Sequence, residues 1–455
     1  MTTTTETTAG LPPLTSDLPK VERKAMLPRG FVAGAATCGI KASGRPDLAI
    51  VATSDGPVAA AAVFTTNTFA AAPVRLSKRH LGAGHFGLAR AIISTSGSAN
   101  AATGAAGDAD QERIGEALAA ALGFGGQSEL TLHLSTGIIG TRLPVDRVVA
   151  GIDGLASQLS ADDGALLAAA EALRTTDSKT KIVTTSVALP GAGGDVRVTV
   201  SGIAKGVGMI HPRMATMLSI VLTDAAVDPQ ALHGLLRAAT VRTWNQLSVD
   251  GDTSTNDTVF LLASGAAGGK PVAAGSAAAA ALGKAVEAIA RDLARQQAAD
   301  GEGATTLLTC QVSGAVDDAE ARAVARAVIS SSLVKAAIHG RDPNWGRVAG
   351  AAGNARLADA PVLEAAGLSS ADAARRAGQA ASLDPDRLRI SIAGHPVFDG
   401  SRGGPVGFDR SAARAAMKAS EVLVRLDLGL GEGSGEAFGC DLTEAYVVEN
   451  SEYTT

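Results

Sequence analysis

Strand-like and helix-like stretches follow one another along this chain in unequal clumps, with no fixed repeat period. "LAIVATSDGPVAAAAVFTT" (48–66) reads as two strands around an Asp-Gly turn. "ARAIISTSGSAN" (89–100) is a strand running into a small-residue loop, and "ELTLHLSTGIIG" (129–140) is a strand that ends in a Ser-Thr-Gly turn. "DVRVTVSGIAKG" (195–206) alternates as a strand should. Between them, "DADQERIGEALAAALGF" (108–124) has apolar residues three and four apart, the spacing of a helix. "SADDGALLAAAEALRTTD" (160–177) opens with a Ser N-cap and acids in the first turn, and "DPQALHGLLRAATVRTW" (228–244) has Pro there. Long helices are expected over 276–301 and 318–340. Strands then resume over 387–394, 421–429 and 444–451. A regular βαβ barrel would show a period. Unequal clumps predict a mixed α+β fold with helices packed on β-sheets.

The core of such a fold has to come from aliphatic residues, because 46% of the chain is hydrophobic and only 3% aromatic. Its 455 residues suffice for one large domain or two to three smaller ones. A net charge of −5 without a basic block argues against nucleic acid as a partner. No run of about 18 residues is free of polar interruption, so no membrane span is expected. Cys38, Cys310 and Cys440 are scattered and form neither a disulfide framework nor a CxxC site, which fits a reducing cytoplasm. The Thr- and Pro-rich start reads as a disordered tail over residues 1–25.

Most motif-like stretches have plain readings. "GLGEGSG" (429–435) lacks the GK[ST] ending of a phosphate loop and reads as a tight turn between strands. The seven His are isolated, so no metal site is expected. "GDTSTND" (251–257) has two acids, but Asx and Ser/Thr turns explain it as well as a cation does.

"KGVGMIHPRMATMLSIVLTD" (205–224) is different: a glycine-loosened polar loop turns abruptly apolar after Thr216. A Thr hydroxyl is a poor nucleophile without a nearby base. If Thr216 became a chain start, its own α-amine, with a pKa of about 7.7–8.0, would serve. That requires cleavage between Ala215 and Thr216, by attack of the Thr216 hydroxyl on the Ala215 carbonyl, an N→O acyl shift and hydrolysis.

This segment closely resembles the self-cleavage segment of the ornithine acetyltransferase (glutamate N-acetyltransferase) family. "STGIIG" (135–140), "SVDGDTSTNDTV" (248–259), "DGEGATTL" (300–307), "IHGRDPNWGR" (338–347) and "GCDLTEAYVVENSEYTT" (439–455) resemble the family's segments in the family's order. The likeness runs from about residue 29 to the last residue. It implies an N-terminal-nucleophile-like layered sandwich, cut into an α chain (26–215) and a β chain (216–455) that stay together, two copies of each. It implies a ping-pong reaction in which Thr216 takes the acetyl group of N-acetylornithine, releasing ornithine, and passes it to glutamate to give N-acetylglutamate in arginine biosynthesis. No metal or prosthetic cofactor is implied; acetyl-CoA serves some members as donor.

By matching position, Thr136 and Gly137 correspond to the oxyanion hole. Lys205 corresponds to a Lys that pairs with a substrate carboxylate, and Glu302 to a Glu that binds the substrate's amino end. Thr175 or Thr176 corresponds to a further substrate contact, and Asn450 and Thr455 to residues lining the same site. This chain departs from the family pattern in "STSGSAN" (94–100), where "NSGNAN" is usual, and in Arg213, where Asn is usual. Those departures bear on donor, acceptor preference and cleavage rate. The alternatives are an N-terminal-nucleophile amidohydrolase and an acetyltransferase paralogue of a specialised pathway.

Overall fold

The structure, a computed structural model, describes residues 11, 14, 17–191, 196–211 and 217–451. The chain forms two compact units. One comprises Leu18–Asn245 with Asp252–Gln297; the other comprises the described residues up to Asp17, Gln246–Gly251 and Ala298 onward.

The first unit is layered. A four-stranded sheet has the order Phe31–Ala36, Leu48–Thr53, Ala91–Ser98, Thr131–Ile138. A six-stranded sheet has the order Phe86–Ala89, Val58–Phe64, Thr258–Ala263, Leu218–Thr223, Arg197–Lys205, Lys181–Ala188. Helices Ala72–Leu81 and Asp163–Leu173 touch both sheets, and the three layers share one core that includes Val51, Ile92, Leu166, Leu173, Leu218 and Ile220. Helices Gly104–Ala121 and Val145–Ala156 cover the other face of the smaller sheet, through Ile114, Leu118, Val148 and Ile152. Helices Pro229–Arg242 and Ala277–Ala299 pack on the larger one. The Leu218–Thr223 strand is therefore buried on both faces, and that is why its sequence is almost continuously apolar.

The second unit is a seven-stranded sheet in the order Leu247–Ser248, Gly433–Cys440, Leu307–Ala315, Glu421–Asp427, Arg389–Ile392, His395–Asp399, Gly404–Pro405. Helices Asp318–Ser330, Ser332–His339 and Trp345–Gly353 supply its aliphatic core. Strand Glu421–Asp427 alternates buried and half-buried residues along its whole length. The expected α+β class with helices packed on sheets holds in both units.

Several local expectations need correction. The strands flanking Asp55-Gly56 form no hairpin, because Leu48–Thr53 and Val58–Phe64 belong to different sheets. Helix Asp163–Leu173 is capped by Asp162, whose carboxylate accepts from the Ala165 amide, and not by Ser160. The long helix expected over 318–340 breaks at Ser331, which is extended and caps a second helix through Val334. "EAYVVENS" is a helix, Glu444–Ser451, not a strand, and Thr443 caps it by accepting from the Tyr446 amide. The glycine-rich run 429–435 does turn between strands, as expected, and its last three residues already belong to Gly433–Cys440. The tail expected through residue 25 gives way earlier, since Glu22 pairs with Thr184, and the Thr185 hydroxyl donates to the Lys20 carbonyl.

Candidate active site

Strands Ala91–Ser98 and Thr131–Ile138 are parallel neighbours that end together, pairing Ser96 with Thr136 and Gly97 with Gly137. The register then shifts, with Ser98 facing both Thr136 and Ile138. At this bulge Gly137 has φ +127°, and a Cβ there would overlap the carbonyl of Gly97. Only glycine fits. Behind the bulge, the Asn256 amide donates to the carbonyls of Ala99 (2.6 Å) and Ser135 (2.9 Å). "GDTSTND" thus braces this strand end with turn and amide bonds.

Lys205, at the end of the Arg197–Lys205 strand, donates from Nζ to Thr136 Oγ1 at 3.1 Å. An ammonium has donors only, so the Thr136 hydroxyl accepts from it and keeps its own proton for another acceptor. Thr136 thus keeps a hydroxyl proton free of Lys205, next to Gly137 in the chain. A hydroxyl and a peptide N–H side by side are the kinds of donor an oxyanion hole needs.

Asp177 is the residue that motif reading passed over, although it stands in the quoted "RTTD". It is 2% exposed. Its Oδ1 accepts from Lys181 Nζ (2.6 Å) and the Gly206 amide (2.8 Å), and its Oδ2 from the Thr175 amide (3.1 Å). Burial pushes its pKa up, but Lys205, Lys181 and the amide of Gly206 outweigh that and hold it below the usual carboxylate range. Asp177 ties the Thr175–Thr176 loop to Lys205–Gly206. The one sequence signal was an acid four residues before a Lys. Lys41 stands in the same charge field, and its Nζ donates to the carbonyls of Pro46 (2.7 Å) and Ala172 (3.1 Å). Burial lowers its pKa to about 8; Arg45 and Lys205 act in the same direction, Asp47 and Asp177 against it.

The other unit holds Glu302 and Asn450. The Asn450 amide donates to Glu302 Oε2 at 3.0 Å. Of the residues singled out in the sequence, Thr136 and Lys205 thus meet in one unit and Glu302 and Asn450 in the other. Thr175 is half-buried and Thr176 exposed. Ala215, Thr216, Arg213 and Thr455 lie outside the described residues. Met217, the residue after Thr216, is buried, and its carbonyl accepts from the Thr258 amide.

The three thiols are buried, and burial raises the pKa of each, that of Cys38 to about 11. None is a candidate nucleophile. Among the described residues no group of three or more His, Cys, Asp or Glu is placed to hold a metal ion.

The model of the ArgJ family matches residues 32–455. This chain belongs to the ArgJ family. The arginine biosynthesis bifunctional protein ArgJ of Thermus thermophilus is 44% identical over 94% of this chain and 99% of its own length. That of Deinococcus radiodurans is 42% identical over 97% of this chain and 100% of its own. Among solved structures, ArgJ from Bacillus halodurans is 39% identical, covering 52% of this ArgJ-family chain and all of that chain, with a TM-score of 0.45. Ornithine acetyltransferase from Mycobacterium tuberculosis, complexed with ornithine, is also 39% identical, covering 43% of this chain and 99% of that one, with a TM-score of 0.39.

Proposed function

We infer that this chain is a self-processing acetyltransferase of arginine biosynthesis, moving the acetyl group of N-acetylornithine to glutamate. The observation that carries the reading is the Thr136 hydroxyl, accepting from Lys205 beside Gly137, a position that only glycine can occupy, on a chain of the ArgJ family. Cleavage between Ala215 and Thr216 frees the α-amine of Thr216. That amine takes the hydroxyl proton while Oγ1 attacks the acetyl carbonyl of N-acetylornithine. Negative charge builds on the carbonyl oxygen, and the Thr136 hydroxyl and Gly137 amide donate to it. Collapse expels ornithine, whose nitrogen takes the proton, and leaves acetyl-Thr216. The amine of glutamate then attacks this ester, giving N-acetylglutamate and restoring the hydroxyl. Glu302 with Asn450 and Thr455 receives the amino end of the substrate, Lys205 a carboxylate, and Thr175 or Thr176 a further polar group.

The chains 26–215 and 216–455 stay together after cleavage because they share a sheet. Strands Leu218–Thr223 and Thr258–Ala263 lie between Val58–Phe64 and Arg197–Lys205. Two copies of each chain, a cytoplasmic location, chemistry without a metal or prosthetic group, and acetyl-CoA as a second donor complete the proposal. Denaturing mass spectrometry is expected to show two fragments divided at 215/216, and Thr216→Ala to give one intact, inactive chain. Activity in Thr216→Ala would overturn the reading. Acetate release independent of glutamate would make the enzyme an amidohydrolase, and assays with N-acetylornithine and acetyl-CoA in parallel decide the donor.

A further inference from the structure

Three stretches far apart in sequence, "DGEGATTL", "IHGRDPNWGR" and "GCDLTEAY", meet around one buried carboxylate. Asp441 follows the Gly433–Cys440 strand, and its side chain has no exposed surface. Its Oδ1 accepts from the amides of Thr305 (2.8 Å) and Thr306 (2.9 Å). Its Oδ2 accepts from the Thr305 hydroxyl (2.6 Å) and faces His339 Nδ1 at 3.3 Å. The backbone adds a bond from the Asp441 amide to the Thr306 carbonyl. Arg341, held at φ +53°, donates to the Thr306 hydroxyl at 2.6 Å.

Two residues on, the Thr443 hydroxyl donates to the Gly303 carbonyl at 2.7 Å and accepts from the Tyr446 amide at 3.4 Å. Gly303 has φ +65°, and a Cβ there would overlap the Tyr446 amide. The loop carrying Glu302 is thereby fastened on both sides to the segment that leads into helix Glu444–Ser451. That helix carries Asn450, whose amide meets Glu302 Oε2.

We propose that Asp441 is a positioning residue: through Thr305 and Thr306 it holds the Gly301–Thr306 loop so that Glu302 stays against Asn450 to receive the substrate's amino group. Thr443 is its second fastening. The proposal rests on the role given above to Glu302. A buried carboxylate suits the task because two amides and a hydroxyl donate to it across both oxygens, and a neutral amide, with one acceptor oxygen, cannot accept in the same way on both sides.

The test is steady-state kinetics with the full-length, self-cleaved protein. Glu302→Gln is expected to raise KM. Asp441→Ala is expected to raise KM about tenfold with kcat nearly kept, since contacts in one network are lost together. Adding Asp441→Ala to Glu302→Gln brings no further rise, because both act through the same carboxylate. Asp441→Asn recovers part of the loss, keeping one oxygen against the two amides, and cleavage at 215/216 stays normal in every variant. If Asp441→Ala fails to fold, Thr443→Val carries the test and raises KM a few-fold in the same non-additive way. A raised KM in Glu302→Gln with wild-type KM in Asp441→Ala, or additive losses, or losses confined to kcat, overturns the positioning role alone. Wild-type KM in Glu302→Gln overturns both that role and the reading of Glu302 beneath it.

Discussion

Each unit places a buried carboxylate at the root of a loop assigned to the candidate site, and the two are satisfied by different means. Asp177 is neutralised by charge: its Oδ1 lies 2.6 Å from the ammonium of Lys181, itself 1% exposed, and Lys205 adds a second cation to its field. Asp441 is satisfied by geometry, through two amides and a hydroxyl supplied by adjacent loop residues. A charge-satisfied carboxylate couples stability to the site's cations, so its removal strands a buried positive charge. A geometry-satisfied one mainly fixes where a loop stands, so its removal changes position more than charge. The same residue type thus acts as an electrostatic hub in one sheet's unit and as a clamp in the other's.

The contrast can be broken most directly at Asp177. Asp177→Asn leaves Lys181 buried without its carboxylate and is expected to cost about 3–5 kcal/mol in stability, measured by chemical denaturation. A change within experimental error would show that the pair is not the hub. Next in size, Thr136→Val removes the hydroxyl that Lys205 orients, and kcat is expected to fall by about 10²–10³, roughly 2.7–4 kcal/mol, with the fold intact by circular dichroism. Acid sharpens the difference further. The folded pKa of Asp177 is lowered, so its contribution is present above the unfolded value of about 3.9 and is lost as pH falls through the folded one. A denaturation midpoint followed against pH is expected to lose this dependence in Asp177→Asn. The smallest effect is expected at Lys41. Its folded pKa is about 8 against 10.5 unfolded, so the folded state sheds the proton first, and stability rises with pH between those values. Lys41→Met is expected to flatten that rise; an unchanged slope would place Lys41 outside the charge field of Asp177 and Lys205.

The legible parts of this protein were those written in local pattern. Strand Glu421–Asp427 shows its alternation residue by residue, and Pro229 opens its helix where expected. The strand over 129–140 was visible, but Ser135, Thr136 and Gly137, expected as its closing turn, still belong to strand Thr131–Ile138, and the turn follows at Ile139-Gly140. The illegible parts were those where distant chain outweighed local preference. Val447 and Val448 favour a strand, yet Thr443 caps a helix there. Asp177 and Asp441 look like ordinary loop acids until burial shows them satisfied by residues from separate segments.

By itself the sequence determined that the chain is an aliphatic-core α+β protein resembling the ornithine acetyltransferases, and that resemblance led us to expect an oxyanion hole at Thr136-Gly137 and a nucleophile at Thr216. Hydrophobic period, turn chemistry and motif order are local quantities, and they can be read without knowing what faces what. Only the tertiary structure decided that the strands on either side of Asp55-Gly56 part into two sheets. Only it decided that strands from both sides of the expected cleavage share one sheet, and that Lys205 donates to the Thr136 hydroxyl. Those outcomes depend on which surfaces bury each other and which charges meet at low dielectric, and both are set by residues far apart in the chain.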